Sequence, residues 1–146
     1  MSKKVTGIGG IFFKAKDPET TKKWYAQHLG LKVDAYGSTF WWKDQNDKDC
    51  LTQWSPFKDD TDYFDPSAQS FMVNYRVDNL SDLVTSLQAS GVELIGEIQE
   101  FDYGKFAWIM DPDGHKIELW ELVDDKLKEI NPPPQPLVQT GCQVQI

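Results

Sequence analysis

Hydrophobic and polar residues alternate with a period of two along several stretches of this chain, and a stretch with helical spacing follows the first of them. A strand is predicted over residues 5–15, followed by a helix that Asp17 can cap and that ends at Gly30. Trp24, Tyr25 and Leu29 form the predicted buried stripe of this helix. Short strands are then predicted over residues 31–35, 39–43 and 50–54, which makes a meander of three strands.

The same order of elements returns in the second half. A strand over residues 70–77 precedes a helix that Asn79 caps and Gly91 ends, and three strands follow over residues 92–99, 100–110 and 115–122. Val77, at the end of its strand, stands 62 positions after Ala15, which ends the first strand. The order predicts an α+β fold built from two tandem βαβββ modules.

Residues 55–68 interrupt the alternation with a turn-rich, acidic segment that also contains Phe57, Tyr63 and Phe64. A loop of this length is commonly either functional or a linker. It can be a lid over a pocket, or a bridge whose aromatic residues fill the core, and both interpretations stay open. We predict one domain over residues 1–124, with module one at 5–55, the linker or lid at 56–69, module two at 70–122, and a proline-rich tail at 125–146.

Composition and charge narrow the range of partners. The net charge of −8 argues against binding to a nucleic acid backbone, and no apolar run approaches the 18 residues or so that a membrane helix needs. Cys50 and Cys142 lie far apart and suggest reduced thiols in a cytoplasmic protein. Aromatic residues make up 13% of the chain, including six tryptophans, which fits an aromatic-lined cavity or simply a tryptophan-rich core.

The final strand pair carries the most informative pattern. Asp111-Pro-Asp-Gly114 fits a type I turn, with proline at its second position. After the turn, Ile117 and Leu119 occupy one face of the strand. That face is predicted to meet the core, while the opposite face carries Lys116, Glu118 and Trp120.

Two βαβββ modules that close on Asp-Pro-Asp-Gly-His-Lys-Ile-Glu-Leu resemble the vicinal oxygen chelate (VOC) superfamily, which includes glyoxalase I, bleomycin- and fosfomycin-resistance proteins and extradiol dioxygenases. The similarity covers about residues 5–122, and it is closest to a glyoxalase-like branch. Its motifs lie at residues 14–17, 24–30, 76–91 and 111–120. The resemblance implies that the strands form a curved mixed sheet around a cup, with a ligand site inside the cup.

Metal-dependent members of this superfamily place ligands on the first strand of each module and on a later strand. The resemblance assigns these positions to Gly10, Met72, Gln53 and Glu118. Glycine offers no side-chain donor, and a thioether is a poor ligand for hard or borderline cations. We therefore expect no metal and no other cofactor, with Gln53 and Glu118 as the residual candidate ligands.

The resemblance also places a set of side chains on the inner face of the cup. Glu118 is the candidate catalytic residue, for proton transfer, and the remaining set is predicted to bind the ligand: Phe12, Lys14, Trp42, Gln53, Met72, Asn74, Arg76, Trp108 and Trp120.

Three functions stay open. The first is a metal-independent protein of the bleomycin-resistance kind that binds a small aromatic or amphipathic molecule. The second is a VOC-type lyase or isomerase that uses Glu118 or a metal brought by its substrate. The third is a regulatory module without a ligand. A homodimer is expected because the open edges of each module's sheet need covering. The pattern does not name the small molecule.

Overall fold

The repeated elements assemble into one curved mixed sheet, which confirms the predicted fold class. The computed structural model describes residues 4–133, and within them the sheet has seven strands in the order β2-β3-β1-β4-β7-β6-β5. The pairs β1–β3 and β4–β7 are parallel, and the other neighbours are antiparallel. The strands are β1 (Val5–Ala15), β2 (Ser38–Lys43), β3 (Asp49–Lys58), β4 (Phe71–Val77), β5 (Gln99–Phe101), β6 (Gly104–Met110) and β7 (Lys116–Leu122).

The two halves meet where β1 pairs with β4. Gly10 lies beside Asn74 and Phe12 beside Met72 in this antiparallel ladder. Met72 stands 62 positions after Gly10, and Asn74 stands 62 positions after Phe12. The sequence repeat therefore maps the Gly10–Asn74 pair onto the Met72–Phe12 pair. An approximate twofold axis between β1 and β4 accounts for this correspondence.

Capping side chains begin the first two helices at the predicted residues. Helix α1 (Pro18–Leu29) starts after Asp17, whose carboxylate accepts from the amides of Glu19 and Thr20 at 3.2 and 3.4 Å. It ends at Gly30, whose φ of 73° suits glycine. Helix α2 (Leu80–Ala89) starts after Asn79 in the same way.

Helix α2 buries Leu80, Leu83 and Val84 against β6 and β7, and this cluster is the main core of module two. Helix α1 differs, and its predicted buried stripe is wrong: Trp24 is 53% and Leu29 60% exposed. Lys22 is the buried residue of α1 instead.

The lysine is buried because its ammonium group ties down the segment that follows α1. Lys22 Nζ donates to the carbonyl oxygens of Asp34 and Ala35 at 2.9 and 3.3 Å. The Asp34 carboxylate accepts from the amides of Tyr36 and Gly37 at 2.8 and 3.1 Å. These bonds satisfy the backbone locally, so the strand predicted over residues 31–35 does not form.

Two further sequence predictions need correction in module two. Residues 92–98 form no strand, and the predicted strand over residues 100–110 is a hairpin of β5 and β6 that turns at Asp102 and Tyr103. One bond, from the Ile95 amide to the Trp108 carbonyl at 2.8 Å, joins the irregular segment to β6. A single hydrogen bond does not make a β-ladder. The period-two alternation of residues 92–98 therefore predicted a strand that does not form.

A third helix, α3 (Asp124–Ile130), begins directly after β7 and was not expected from the sequence. Three side-chain contacts attach it to the sheet: Asp124 with Arg76, Lys128 with Asp49 at 3.2 Å, and Asn131 with Thr39 at 2.7 Å. Most of the predicted proline-rich tail lies outside the described residues. No helix within residues 4–133 is long and apolar enough to cross a membrane.

Candidate functional site

The sheet has one face covered by α1 and α2, and we call the opposite face the site face. The hydrogen-bonded pairing of the strands aligns five residues in one row across the site face, and each residue belongs to a different strand. The row runs Gln53, Gly10, Asn74, Glu118 and Trp108 on β3, β1, β4, β7 and β6. Because paired residues in a ladder point to the same side, five of the predicted positions share this face.

Glu118 is the most buried charged group on the site face, with 2% exposure. Its Oε1 accepts from Asn74 Nδ2 at 2.6 Å, and its Oε2 accepts from Trp108 Nε1 at 2.8 Å and from the Tyr63 hydroxyl. A carboxylate removed from water is strongly unfavourable unless such donors compensate. The Glu118 network therefore fixes the orientation of three side chains from three different elements.

Tyr63 comes from the segment between the modules, residues 59–70, which we call the aromatic loop. Its ring stacks on Phe57 with centroids 5.6 Å apart and an interplanar angle of 11°. Burial, reinforced by the charge of Glu118, raises the pKa of the Tyr63 hydroxyl. Phe64, the next residue of the loop, is fully buried against Phe12 on the site face.

Lys116 is the second charged residue, besides Glu118, that contacts Tyr63. Its ammonium nitrogen donates to the Tyr63 carbonyl oxygen at 2.7 Å and lies 5.3 Å from the centre of the Tyr63 ring. Burial lowers the pKa of Lys116, while the charge of Glu118 opposes that shift. The sequence-based site omitted both Lys116 and Tyr63. Lys116 could have been found, because it lies two residues before Glu118 on the same face; no periodicity marks Tyr63.

The glycine pair at the middle of β1 makes room for two side chains. A Cβ atom on Gly10 would lie 2.6 Å from Phe12 Cζ, so the Phe12 ring covers this position. A Cβ atom on Gly9 would collide with the amide oxygen of Asn74. That oxygen is buried and accepts no hydrogen bond from any residue between 4 and 133. The close approach that glycines in a strand suggest is therefore made by the protein's own side chains.

The four positions assigned to metal ligands do not fit a metal. Gly10 is covered by the Phe12 ring, and Met72 is fully buried in the cluster with Phe12 and Phe64. Gln53 Oε1 accepts from the Thr39 hydroxyl at 2.8 Å, while its Nε2 contacts Ser55 Oγ at 3.3 Å. Because Glu118 already accepts from three donors, residues 4–133 bring no set of free oxygen or nitrogen ligands together at these positions.

Arg76 was placed among the predicted ligand-binding residues, but it has an anionic partner within the protein. Its Nη2 donates to both carboxylate oxygens of Asp124 at 3.0 and 2.8 Å, and its Nη1 donates to the Leu51 carbonyl at 3.0 Å. The Trp42 ring lies 5.5 Å from the guanidinium carbon. Arg76 therefore contacts the start of α3 and β3 of module one, and Trp42 packs beside its guanidinium group, apart from the Glu118 network.

The two remaining predicted residues, Lys14 and Trp120, lie beside aromatic side chains. Lys14 Nζ is 5.8 Å from the centre of the Phe64 ring, at the edge of the aromatic loop. Trp120 stacks on Phe106 with centroids 5.1 Å apart, and its buried Nε1 donates to no atom within residues 4–133. Lys14 thus borders the loop, and Trp120 extends the aromatic surface away from Glu118.

A second group of potential metal ligands lies in the turn between β6 and β7. Asp111, Asp113 and His115 place one ligand atom each within 4.8 Å of one another. The Asp111 carboxylate accepts from the amides of Asp113 and His115, both at 2.9 Å, and pairs with His115 Nδ1 at 2.7 Å. These bonds lower the pKa of Asp111 and account for the cluster as part of the turn.

Solved structures with the same fold include three distant relatives. A methylmalonyl-CoA epimerase from Mycobacterium tuberculosis is 19% identical, with 87% of this chain and 95% of that chain covered and a TM-score of 0.60. A Streptomyces coelicolor methylmalonyl-CoA epimerase variant in complex with 2-nitronate-propionyl-CoA is 12% identical (82% and 99%, TM-score 0.62). A Legionella pneumophila structure described as NAD-dependent benzaldehyde dehydrogenase is 14% identical (77% and 97%, TM-score 0.51).

At these identities the similarity concerns the fold alone. No curated protein sequence matches this chain. The family model that does match covers residues 7–119, from β1 to β7, which includes every strand of the site face. The chain belongs to the glyoxalase/bleomycin resistance protein/dioxygenase superfamily.

Proposed function

We propose that this protein binds a small aromatic or amphipathic molecule on the site face without a metal ion. The observation that carries this proposal is the Glu118 network, a buried carboxylate with neutral donors among aromatic rings. A buried carboxylate is costly unless donors compensate it, and the donors that surround Glu118 include one from a loop side chain. This arrangement supports recognition of a ligand that donates a hydrogen bond to Glu118, and the aromatic surroundings favour a ligand with apolar surface.

The covered Gly10 position and the fully buried Met72 support the metal-free part of the proposal. Neither residue offers an oxygen or nitrogen donor, and Gln53 and Glu118 are engaged with protein groups. Elemental analysis of purified protein is expected to give well under one equivalent of metal. Chelator is expected to leave the melting temperature unchanged, since a metal that bound only the folded state would stabilise it.

The binding test is a thermal-shift screen of a small-molecule library against chelator-treated protein. Compounds that bind on the site face are expected to lose at least about tenfold in affinity with Glu118→Gln, which removes a charged acceptor. Glu97→Gln, at an exposed position, is the matched control and is expected to change nothing. Hits that ignore Glu118→Gln, or binding that requires a stoichiometric metal, would contradict the proposal.

A second candidate is a lyase or isomerase that uses Glu118 for proton transfer. It is favoured by one observation: the Tyr63 hydroxyl and the Lys116 ammonium group, which both carry protons, border Glu118. A hit from the screen can be incubated with the protein in D₂O and followed by proton NMR. Deuterium incorporation that Glu118→Gln abolishes would support catalysis. An unchanged spectrum with tight binding would favour the non-catalytic function.

We also propose a homodimer. The sheet ends at β2 and at the short strand β5, and unpaired edges are normally covered. Trp24 and Leu29 on α1, with Ile11 and Phe71 at 39% exposure on the central strands, leave apolar surface open in the single chain. Light scattering is expected to give about twice the chain mass of 16.8 kDa at micromolar concentration. A value equal to one chain would contradict this.

A further inference from the structure

The Tyr63 ring occupies a pocket whose walls belong to other elements. The ring lies parallel to Phe57, and it meets the Trp108 ring edge-on, with centroids 6.4 Å apart and an interplanar angle of 88°. Its hydroxyl donates to Glu118, which is also fixed by Trp108 Nε1 at 2.8 Å. Two aromatic walls and one oriented acceptor are what a phenol needs from a binding site.

The walls and the ring are held in different ways. Phe57, Trp108 and Glu118 lie on β3, β6 and β7, so the sheet fixes their backbones. Tyr63 lies on the aromatic loop and is only partly buried, whereas its neighbour Phe64 is fully buried and anchors the loop. Rotation of the Tyr63 side chain would break its bond to Glu118 and open the pocket, while Phe64 would keep the loop attached.

The charges around the pocket select against an anionic occupant. Glu118 faces the hydroxyl end of the ring, and the Lys116 ammonium group lies over the ring at 5.3 Å from its centre. A carboxylate in the position of the hydroxyl would meet Glu118 and be repelled by it. An electron-rich ring with one neutral donor satisfies both residues.

We propose that the Tyr63 side chain occupies the binding site of a phenol-type ligand, and that such a ligand binds by taking the place of the Tyr63 ring. This inference rests on the proposed binding function and names the chemical class of its ligand. Tyr63 then acts as an internal competitor: it closes the pocket when no ligand is present, and it reduces the apparent affinity by the fraction of closed protein.

The test measures binding of 4-methylphenol to the full-length protein by isothermal titration calorimetry, with tryptophan fluorescence as a second readout from Trp108. The methyl ether 4-methylanisole keeps the ring but lacks the donor. It is expected to bind at least about tenfold more weakly, because Glu118 Oε2 loses its hydroxyl donor and keeps only Trp108 Nε1. The anionic analogue 4-methylbenzoate is also expected to bind more weakly than 4-methylphenol, because its carboxylate would meet Glu118.

The decisive variant is Tyr63→Phe, which keeps the ring of the competitor but removes its bond to Glu118. It is expected to bind 4-methylphenol about tenfold more tightly than the natural chain. Tyr36→Phe, at a site 79% exposed, is the matched control and is expected to change nothing. Tyr63→Ala, which removes the competing ring, is also expected to bind more tightly.

Weaker binding in both Tyr63 variants would overturn the inference, because it would make Tyr63 a wall of the site rather than its occupant. Equal affinity for 4-methylphenol and 4-methylanisole, or no binding of 4-methylphenol to any variant, would overturn it as well. The proposed function fails separately: it is lost if the library screen yields no compound that depends on Glu118, or if binding requires a stoichiometric metal. Hits of another chemical class would preserve the function and reject the phenol.

Discussion

The two modules share one backbone arrangement but place different chemistry in it. In module one, Phe12 pairs with Ser55 across the parallel strands β1 and β3. In module two, the repeat-related Asn74 pairs with Glu118 across β4 and β7. One pair supplies a ring and a hydroxyl bound to the Tyr36 carbonyl at 2.6 Å, while the other supplies a buried carboxylate and an amide. A duplicated fold therefore does not require a symmetric site.

The largest expected effect concerns the aromatic loop, which adds core to the site face. Phe64→Ala is expected to lower the free energy of unfolding by about 3–5 kcal/mol, since Phe64 is fully buried between Phe12 and Met72. Phe40→Ala, at 46% exposure on edge strand β2, is expected to cost far less. If urea denaturation gave equal losses in the free energy of unfolding for the two variants, Phe64 would contribute no more to the core than a residue of an edge strand.

The next prediction concerns the attachment of α3 to β4, the first strand of module two. Asp124→Asn removes the carboxylate that pairs with the buried Arg76 and is expected to cost about 1–3 kcal/mol. Asp125→Asn changes the neighbouring carboxylate, which is 96% exposed, and serves as the control. Denaturant unfolding of both variants gives the comparison, and equal stability would mean that α3 is held by other contacts.

A third prediction concerns the middle of β1. Gly10→Ala is expected to cost about 1–3 kcal/mol, because the new Cβ atom would press on the Phe12 ring. In a double-mutant cycle with Phe12→Leu, the two losses should add to more than the loss of the double variant. Strict additivity would show that the Phe12 ring does not cover Gly10.

The smallest expected effect is a pH dependence that Tyr63 of the aromatic loop contributes through its contact with Glu118 of module two. The pKa of Tyr63 is raised in the folded protein above its ordinary value of 10.0. Above pH 10 the unfolded chain therefore binds fewer protons at this residue than the folded chain does, and stability falls as pH rises. The slope of stability against pH above 10 should become shallower with Tyr63→Phe and stay unchanged with Tyr36→Phe. Identical slopes in the natural chain and in Tyr63→Phe would contradict the burial of the hydroxyl beside Glu118.

The parts of the fold that local chemistry decides could be predicted from the sequence. Asp17, Gly30 and Asn79 cap their helices as expected, and the alternation in β4 and β7 identified the inner face that carries Asn74 and Glu118. The buried stripe of α1 could not be predicted from hydrophobicity. Its position depends on backbone carbonyls near Asp34 and on Lys22, which hydrophobic spacing marks as exposed.

The site residues also divide into those that could be identified from the sequence and those that could not. The resemblance to the VOC superfamily placed Glu118, Trp108, Asn74 and Gln53 on the inner face of the cup, and the strand register aligns them in one row. Tyr63 was left out because it reaches Glu118 from 55 residues away on a loop without periodicity. Arg76 was assigned to a ligand because the helix that brings Asp124 to it was not expected.

The Phe12 ring over Gly10 also constrains the order in which this protein could gain a metal ligand at that position. A histidine placed at Gly10 while Phe12 is unchanged would meet the ring before it could reach any ion. A smaller residue at Phe12 has to come first, and the cavity that it leaves then costs stability until the new side chain fills it. A change between metal-free and metal-binding forms at this position therefore requires its substitutions in a fixed order. A library that varies Gly10 alone would contain only variants whose new side chain is obstructed by the Phe12 ring.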